Sequence, residues 1–342
     1  MIYISSLFAE KFILQQWGCQ LGGVNRDARG EVGLPPCTWC LGVLNLQDIP
    51  IMKTHGRRQL RRFFTLASLL VARLAMAAGD NPISLEDTKR MQDPFEFSRM
   101  VDYRQYEVLD FKGADLDDVR IYQVRYTHPI AATELLPEQF IRVSSALRQV
   151  PTNFTLNGSN DLSNRDTATG LGDTNIFDSF TLGIGKSYKW GVGPSVTMPT
   201  NQNSDGKKFG NDNWLAGVAG IGMLRFSPRD QGILIFNWQK DVQGNDVPVE
   251  HFELQPTYTH TFQDGWYFLS AGVWEFDLEN RTHYIPLALG VGKVFRFQGR
   301  LMHAFIEPQW VVDSDDEDKN GNFIPQPNFF VRLGMTLLLS RT

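Results

Sequence analysis

The chain has 342 residues, with 33 lysines and arginines against 38 aspartates and glutamates, a formal net charge of −5. Hydrophobic residues make up 42% of the sequence, a fraction that excludes an intrinsically disordered protein. The mild acidity argues against a nucleic-acid partner. Apart from one N-terminal candidate, no apolar run approaches the length of a membrane-spanning helix, which excludes a helical-bundle membrane protein.

The first recognisable element is an export signal that begins at Met52. A cluster of basic residues between Met52 and Arg62 precedes the apolar run 63–72, and Ala75-Met76-Ala77 forms a small-x-small cleavage site. This order is typical of a secretory signal peptide. We therefore expect residues 52–77 to be a signal peptide cleaved near Ala77. Residues 1–51 are interpreted as an extension from an upstream start, with no fold assigned; a genuine N-terminal extension is the alternative.

Cleavage would change the chemistry of the chain. Cys19, Cys37 and Cys40 all lie before the cleavage site, so disulfides would play no part in the exported protein. The remaining chain has 24 basic and 34 acidic residues, a net charge of −10. We expect an N-terminal periplasmic segment over residues 78–98, followed by one domain over residues 99–342.

Residues after 100 alternate between apolar and polar with period two. Such alternation predicts strands with one apolar face. About twelve segments of this kind are separated by turn residues, and the longest loops are predicted at 153–170 and 313–322. The segments lie near 100–111, 119–127, 139–149, 173–185, 188–199, 213–226, 231–240, 249–262, 265–276, 282–297, 301–312 and 328–340.

Two all-β architectures accommodate this pattern. In a soluble β-sandwich the apolar faces turn inward, whereas in an outer-membrane barrel they face lipid. The segments are longer than typical sandwich strands, aromatic residues gather near their ends, and short turns alternate with long loops. These features favour a single antiparallel transmembrane β-barrel of about twelve strands in the bacterial outer membrane. The segment 332–339 also resembles the C-terminal signal recognised by the barrel-assembly machinery, although it lacks a terminal aromatic residue.

Four short motifs at strand ends carry a family resemblance. They are Gly170-Leu171-Gly172-Asp173, Trp190-Gly191-Val192-Gly193-Pro194, Asp264-Gly265-Trp266-Tyr267 and Gly290-Val291-Gly292-Lys293-Val294-Phe295. In this order they resemble the neuromedin-U-like outer-membrane proteins and the related family named for a MetA pathway of phenol degradation. The resemblance covers the chain from about residue 100 onward. It implies an outer-membrane β-barrel and suggests a channel for small, hydrophobic compounds.

Charges of both signs are predicted to line the interior of the barrel. An interior charge is costly unless it is paired or hydrated. Either the charges pair and fill a plugged barrel, or water fills a constricted pore. A barrel of twelve strands is intermediate between eight-stranded barrels, whose interior is filled by side chains, and sixteen-stranded barrels, which enclose an open channel. The candidate pore-lining or binding residues are Arg125, Arg142, Arg148, Glu253, Gln255, Glu275, His303, Glu307, Gln309 and Arg332.

The expected mature chain contains no complete sequence motif for catalysis or metal binding. None of its five histidines lies in a His-x-Ser arrangement or beside a Gly-x-Ser-x-Gly turn, so we expect no catalytic residues and no enzyme. Asp316-x-Asp318-x-Asn320-Gly321 matches the first half of a calcium loop, but Pro327 replaces the glutamate at its twelfth position. We interpret this segment as a solvated acidic loop and expect no metal and no cofactor.

The sequence thus predicts an outer-membrane barrel that acts as a narrow channel or transporter for small molecules by passive diffusion. The alternative is a structural or ligand-binding barrel with a plugged lumen and no transport. The net charge of −10 and the acidic loop predict a mild preference for cations. Expected partners are outer-membrane lipid and lipopolysaccharide, the barrel-assembly machinery and a small-molecule solute.

Overall fold

A computed structural model describes residues 82–116, 119–156, 162–201, 209–244, 248–315 and 317–341. The predicted signal peptide and residues 1–51 lie outside the described residues. The described residues contain no helix that is both long and apolar enough to cross a membrane. Their secondary structure consists of helix α1, Leu85–Gln92, and strands β1 Ser98–Lys112, β2 Ala114–Asp115, β3 Val119–Ile130, β4 Gln139–Leu156, β5 Leu162–Leu171, β6 Thr174–Ile184, β7 Tyr188–Met198, β8 Trp214–Arg225, β9 Asp230–Gln243, β10 Glu250–Thr261, β11 Trp266–Ser270, β12 Trp274–Asp277, β13 Thr282–Ala288, β14 Gly290–Phe297, β15 Arg300–Ser314 and β16 Gln326–Arg341.

The strands form one closed antiparallel barrel, because β1 pairs with β16 over its whole length. Three positions in the wall are each occupied by two consecutive strands, namely β5 with β6, β11 with β12 and β13 with β14. The short β2 lies beside the end of β1. The described part of the chain is therefore a twelve-stranded barrel, which confirms the predicted fold class and excludes the sandwich.

Each of the twelve predicted segments corresponds to one position in the wall, but one predicted loop is wrong. Much of the segment 153–170 is strand, because β4 continues to Leu156 and β5 begins at Leu162. These two strands pair as a hairpin from Leu147 opposite Leu171 to Leu156 opposite Leu162. The sequence here is polar at almost every position, so it has no apolar face from which alternation could reveal a strand.

The outer face of the wall exposes apolar side chains, with aromatic residues toward both ends of the barrel. The end where β1 begins and β16 ends is called the terminal end, and the opposite end, where β7 and β15 end, is called the loop end. Aromatic residues are exposed near both ends, with Trp190 and Phe262 toward the terminal end and Trp214 and Trp310 toward the loop end. Exposed aliphatic side chains lie between them on the outer face: Val124, Val143, Leu147, Val218, Leu234, Leu287, Val291 and Met335.

The N-terminal segment, residues 82–97, packs into the terminal end of the barrel. Helix α1 begins with a capping box, in which Ser84 and Asp87 each accept a hydrogen bond from the other's backbone N–H. Met91 at the end of the helix is buried against inward-facing residues that include Tyr267, and Phe95 packs edge-on against Phe140. Apolar contacts therefore fix this segment inside the barrel mouth.

Candidate functional site: the lumen

Two cavities lie in series inside the barrel formed by the described residues. The first, of about 270 Å³, lies toward the loop end and is lined largely by polar side chains. The second, of about 150 Å³, lies toward the terminal end, where residues 91–94 form part of its wall. Both cavities include Arg125, Arg142, Ile235 and Gln255 in their linings. These shared residues mark the level at which the two chambers meet.

The predicted interior residues fall into three groups. Seven of them line the chambers. The loop-end chamber is lined by Arg125, Arg142, Arg148, Glu253 and Gln255, and the terminal-end chamber by Arg125, Arg142, Gln255, His303 and Arg332. Glu307 and Gln309 are fully buried beneath this surface. Glu275 stands directly opposite Glu253 in the pairing of β12 with β10, but it does not belong to either lining.

A closed ion pair lies within the wall of the terminal-end chamber. Glu307 and Arg332 face each other on β15 and β16, and their side chains meet at 2.5 Å with exposed fractions of 0% and 2%. Glu307 also accepts hydrogen bonds from the Gln309 side-chain amide and from the backbone N–H of Ala271, each at 2.8 Å. Every oxygen of this carboxylate therefore has a partner, as a buried charge requires.

Asp102 and Arg104 of β1 complete the chamber, and sequence reasoning missed both. The Asp102 carboxylate lies 3.4 Å from the Arg125 guanidinium and 3.7 Å from that of Arg104. Thr336 donates a hydrogen bond to Asp102, and the His303 imidazole hydrogen-bonds with Thr336 at 2.6 Å. This chain of contacts holds the carboxylate in one orientation.

Ion pairs between two aspartates of the N-terminal segment and three cations of the barrel wall anchor the segment in the mouth. Asp93, only 7% exposed, lies 2.8 Å from the Lys189 ammonium and 3.0 Å from the Arg225 guanidinium. Earlier in the segment, in the first turn of α1, Asp87 forms an ion pair with Arg296 at 2.8 Å. The segment is thus held by charge as well as by apolar packing, and it narrows the lumen at the terminal end.

The wall is discontinuous where β11 gives way to β12 and β13 to β14. An apolar groove of about 600 Å³ lies there, lined by outward-facing residues such as Leu234 and Leu287 and by inward-facing ones such as Thr257 and Ala288. Between these strands, Gly272 allows a close approach, since a Cβ there would lie 2.6 Å from the Pro286 carbonyl oxygen. The groove opens on the outer face and differs from the lumen in its apolar lining.

The acidic loop before β16 is organised by internal hydrogen bonds. Asp316 lies outside the described residues, whereas the Asp318 carboxylate accepts bonds from the Asn322 side chain and from the backbone N–H groups of Asn322 and Asn320. The bonds from Asn322 lower the pKa of Asp318 below its ordinary value. Among the described residues, no group of three or more His, Cys, Asp or Glu side chains is placed to hold a metal ion.

Ser227, Asp230 and His260 lie together near the terminal end without forming a nucleophilic triad. Asp230 hydrogen-bonds with both Ser227 and His260, the latter at 2.7 Å. In a triad the histidine contacts the serine hydroxyl and the carboxylate orients the histidine, whereas here Ser227 donates its hydrogen bond directly to Asp230. This cluster therefore offers no activated serine.

No family model matches the chain, and no curated protein matches it. An outer-membrane channel from Pseudomonas putida F1 is similar at 11% identity, covering 72% of this chain and 99% of that one, with a TM-score of 0.49. The NanC porin is 8% identical over 70% of this chain and all of its own, with a TM-score of 0.43. Outer membrane phospholipase A from Escherichia coli is 11% identical over 76% of this chain and 100% of its own, with a TM-score of 0.36.

Likeness at these identities concerns the fold alone. At these identities and TM-scores the likeness carries no argument about function. The resemblance to the neuromedin-U-like proteins stays a prediction. Function has to be argued from the lumen itself.

Proposed function

We propose that the barrel spans the outer membrane of a Gram-negative bacterium, with its terminal end in the periplasm. In a closed barrel every strand pairs with two neighbours, so no backbone N–H or C=O group is left without a partner in the interior of the bilayer, where water is absent. Exposed aliphatic residues form the outer face, with aromatic residues toward both ends, the arrangement that suits lipid and its two interfaces. Contacts with lipopolysaccharide and with the barrel-assembly machinery belong to the same proposal.

Within this membrane, we propose that the protein is a narrow channel for the passive diffusion of small molecules. The observation that carries the proposal is the pair of chambers in series, which share Arg125, Arg142 and Gln255. Polar linings of this kind can replace part of the hydration shell of a passing solute. The small volumes limit passage to compact solutes, with the N-terminal segment setting the narrowest point.

The second candidate is a barrel that binds a ligand or serves a structural role without transport. The packing of residues 82–97 into the mouth favours it, since Met91 and Phe95 are buried and Asp93 is held by two cations. The two candidates differ in one physical respect. In a channel, water and solute pass the N-terminal segment, and in a plugged barrel they do not.

Swelling of proteoliposomes separates these candidates. We expect protein extracted from the outer-membrane fraction to admit arabinose and to exclude the trisaccharide raffinose, because the chambers are small. Ala146→Trp, which fills the loop-end chamber, should slow arabinose entry, whereas Ala304→Trp on the outer face should leave it unchanged. Absence of swelling would favour the plugged barrel, and recovery from the soluble periplasmic fraction would contradict the membrane assignment.

A further inference from the structure

Four arginines converge on the terminal-end chamber from one side of the barrel. Arg104, Arg125 and Arg142 come from the neighbouring strands β1, β3 and β4, and Arg332 comes from β16 on the other side of β1. The antiparallel register places them on the inner face, with Arg125 opposite Asp102 and Arg142 opposite Thr127. A band of guanidinium groups therefore covers one wall of this chamber.

The carboxylates beside this band are fewer than the guanidiniums. Glu307 pairs with Arg332, and Asp102 lies between Arg104 and Arg125. Arg142 donates a hydrogen bond to the Thr127 hydroxyl at 3.3 Å, a neutral partner. Another carboxylate of the chamber lining, Asp93, pairs instead with Lys189 and Arg225. The four arginines of the band are thus balanced by two carboxylates, which leaves the band with a net positive charge.

Several guanidinium nitrogens in the band have unused hydrogen-bonding capacity. Within the part of the chain that the structure describes, the buried Nε atoms of Arg104, Arg125 and Arg332 have no hydrogen-bond partner. The side chain of Arg332 is 2% exposed, and those of Arg104 and Arg125 are 14% and 19% exposed. Because a buried donor without a partner is costly, the band is matched to an acceptor that supplies negative charge.

Aromatic stacking fixes the position of two of these arginines. The guanidinium carbons of Arg104 and Arg332 lie 4.9 Å and 5.2 Å from the centre of the Phe305 ring. Such cation–π contacts restrict the rotamers of long side chains. A ligand would meet donors already in place, which reduces the entropy lost on binding.

The opposite wall of the chamber carries a cluster of apolar side chains. They are Ile233 and Ile235 of β9, Leu269 of β11 and Met91 of α1, and the polar residues Gln255, Thr257 and Thr259 of β10 lie beside them in the lining. The volume is about 150 Å³, similar to that of an engineered apolar cavity of about 150 Å³ that binds benzene. One side of the chamber thus fits a planar anion, and the other fits an apolar body of about one ring.

We propose that the terminal-end chamber binds a small monocarboxylate that carries a compact apolar group. Its carboxylate accepts hydrogen bonds from the guanidinium groups of Arg104, Arg125 and Arg142, because the planar fork of arginine matches the two carboxylate oxygens. Its apolar group packs against Ile233, Ile235 and Leu269. The proposal deepens the proposed channel by naming a solute class, but binding itself does not require that the solute passes through.

Calorimetric titration of the full chain in detergent micelles tests the site, with benzoate as the probe. We expect benzoate to bind at least about tenfold more tightly than benzyl alcohol, which has the same ring but no charge. Arg125→Gln and Arg142→Gln should each weaken benzoate binding by about tenfold or more. Arg300→Gln, which removes the same charge at the exposed start of β15, should leave binding unchanged.

Several results would overturn the proposal. These are no benzoate binding by the unaltered protein, equal affinities for benzoate and benzyl alcohol, or unchanged affinity in both lumen variants. Arg142→Gln is the variant less prone to misfold, because Arg142 hydrogen-bonds with the neutral Thr127 and its loss leaves no carboxylate unpaired. The denaturant midpoint of each variant verifies its fold. Binding without proteoliposome swelling would refute the channel alone, and swelling without binding would refute this site alone.

Discussion

Replacing Glu307 with glutamine is expected to lower the free energy of unfolding by about 3–5 kcal/mol, the usual cost of removing one partner from a buried ion pair. An amide keeps the shape of the side chain but leaves the Arg332 guanidinium, which is 2% exposed, without a counter-charge. The same change disturbs the acceptor for the Gln309 side chain and for the backbone N–H of Ala271. Because the site is buried, solvent screening does not reduce this loss of unfolding free energy.

Urea unfolding in lipid vesicles, followed by tryptophan fluorescence, measures this difference. Glu86→Gln removes the same charge from an exposed position on α1 and should change the free energy by no more than about 0.5 kcal/mol. The double variant Glu307→Gln/Arg332→Gln should lose less than the sum of its single variants, because no buried charge remains unpaired. A loss below about 1 kcal/mol for Glu307→Gln would contradict a closed, desolvated pair.

Replacing Asp93 with asparagine is expected to raise the conductance of the reconstituted barrel severalfold. The Asp93 carboxylate accepts hydrogen bonds from Lys189 and Arg225 and from the backbone N–H of Phe95 at 2.9 Å. Asparagine removes the charge that both cations share, so they repel each other beneath the N-terminal segment. The segment should then dock less often and leave the mouth wider.

Planar-bilayer recordings measure the conductance of this variant, and limited proteolysis after Arg90 reports whether the segment has been released. Glu86→Gln, which changes the charge of the segment without touching the wall, is the matched control and should behave as the unaltered protein. Release of the segment with no rise in conductance would contradict its role as the constriction.

The positions of the strands could be predicted because alternation is a local property of the sequence. Each of the twelve predicted segments corresponds to one position in the wall, including the two that are broken internally at residues 271–273 and at Leu289. Alternation fails where both faces have the same polarity. This is why the part of the β4–β5 hairpin that falls within residues 153–170 is predicted as a loop.

The inner face of β1 could not be assigned from its sequence for a related reason. Asp102 and Arg104 face the lumen, but Tyr103 and Gln105 on the outer face are also polar. Polarity alone does not separate the two sets. The pairing of Asp102 with Arg125 decides between them, and that pairing depends on closure between residues far apart in the chain.

The docking of the N-terminal segment was also beyond local reasoning, although one signal was present. Ser84 and Asp87 have the spacing of a capping box and could have indicated the start of α1. The contacts that place the helix in the mouth involve Lys189, Arg225 and Arg296, which are distant in sequence. The preference for cations is likewise predicted from the net charge of −10 of the chain after residue 77 and from the acidic loop, whereas the band of four arginines is positive.

One measurement tests most directly the claim that the lumen is the path of the solute. Gln255 lines both chambers, whereas its neighbour Leu254 does not belong to either lining and faces outward. The chain after residue 77 contains no cysteine, so Gln255→Cys and Leu254→Cys each introduce a single reactive site there. A charged methanethiosulfonate reagent should abolish most of the current through Gln255→Cys in a planar bilayer and leave that through Leu254→Cys unchanged. Equal currents before and after modification of Gln255→Cys would contradict a path through the lumen.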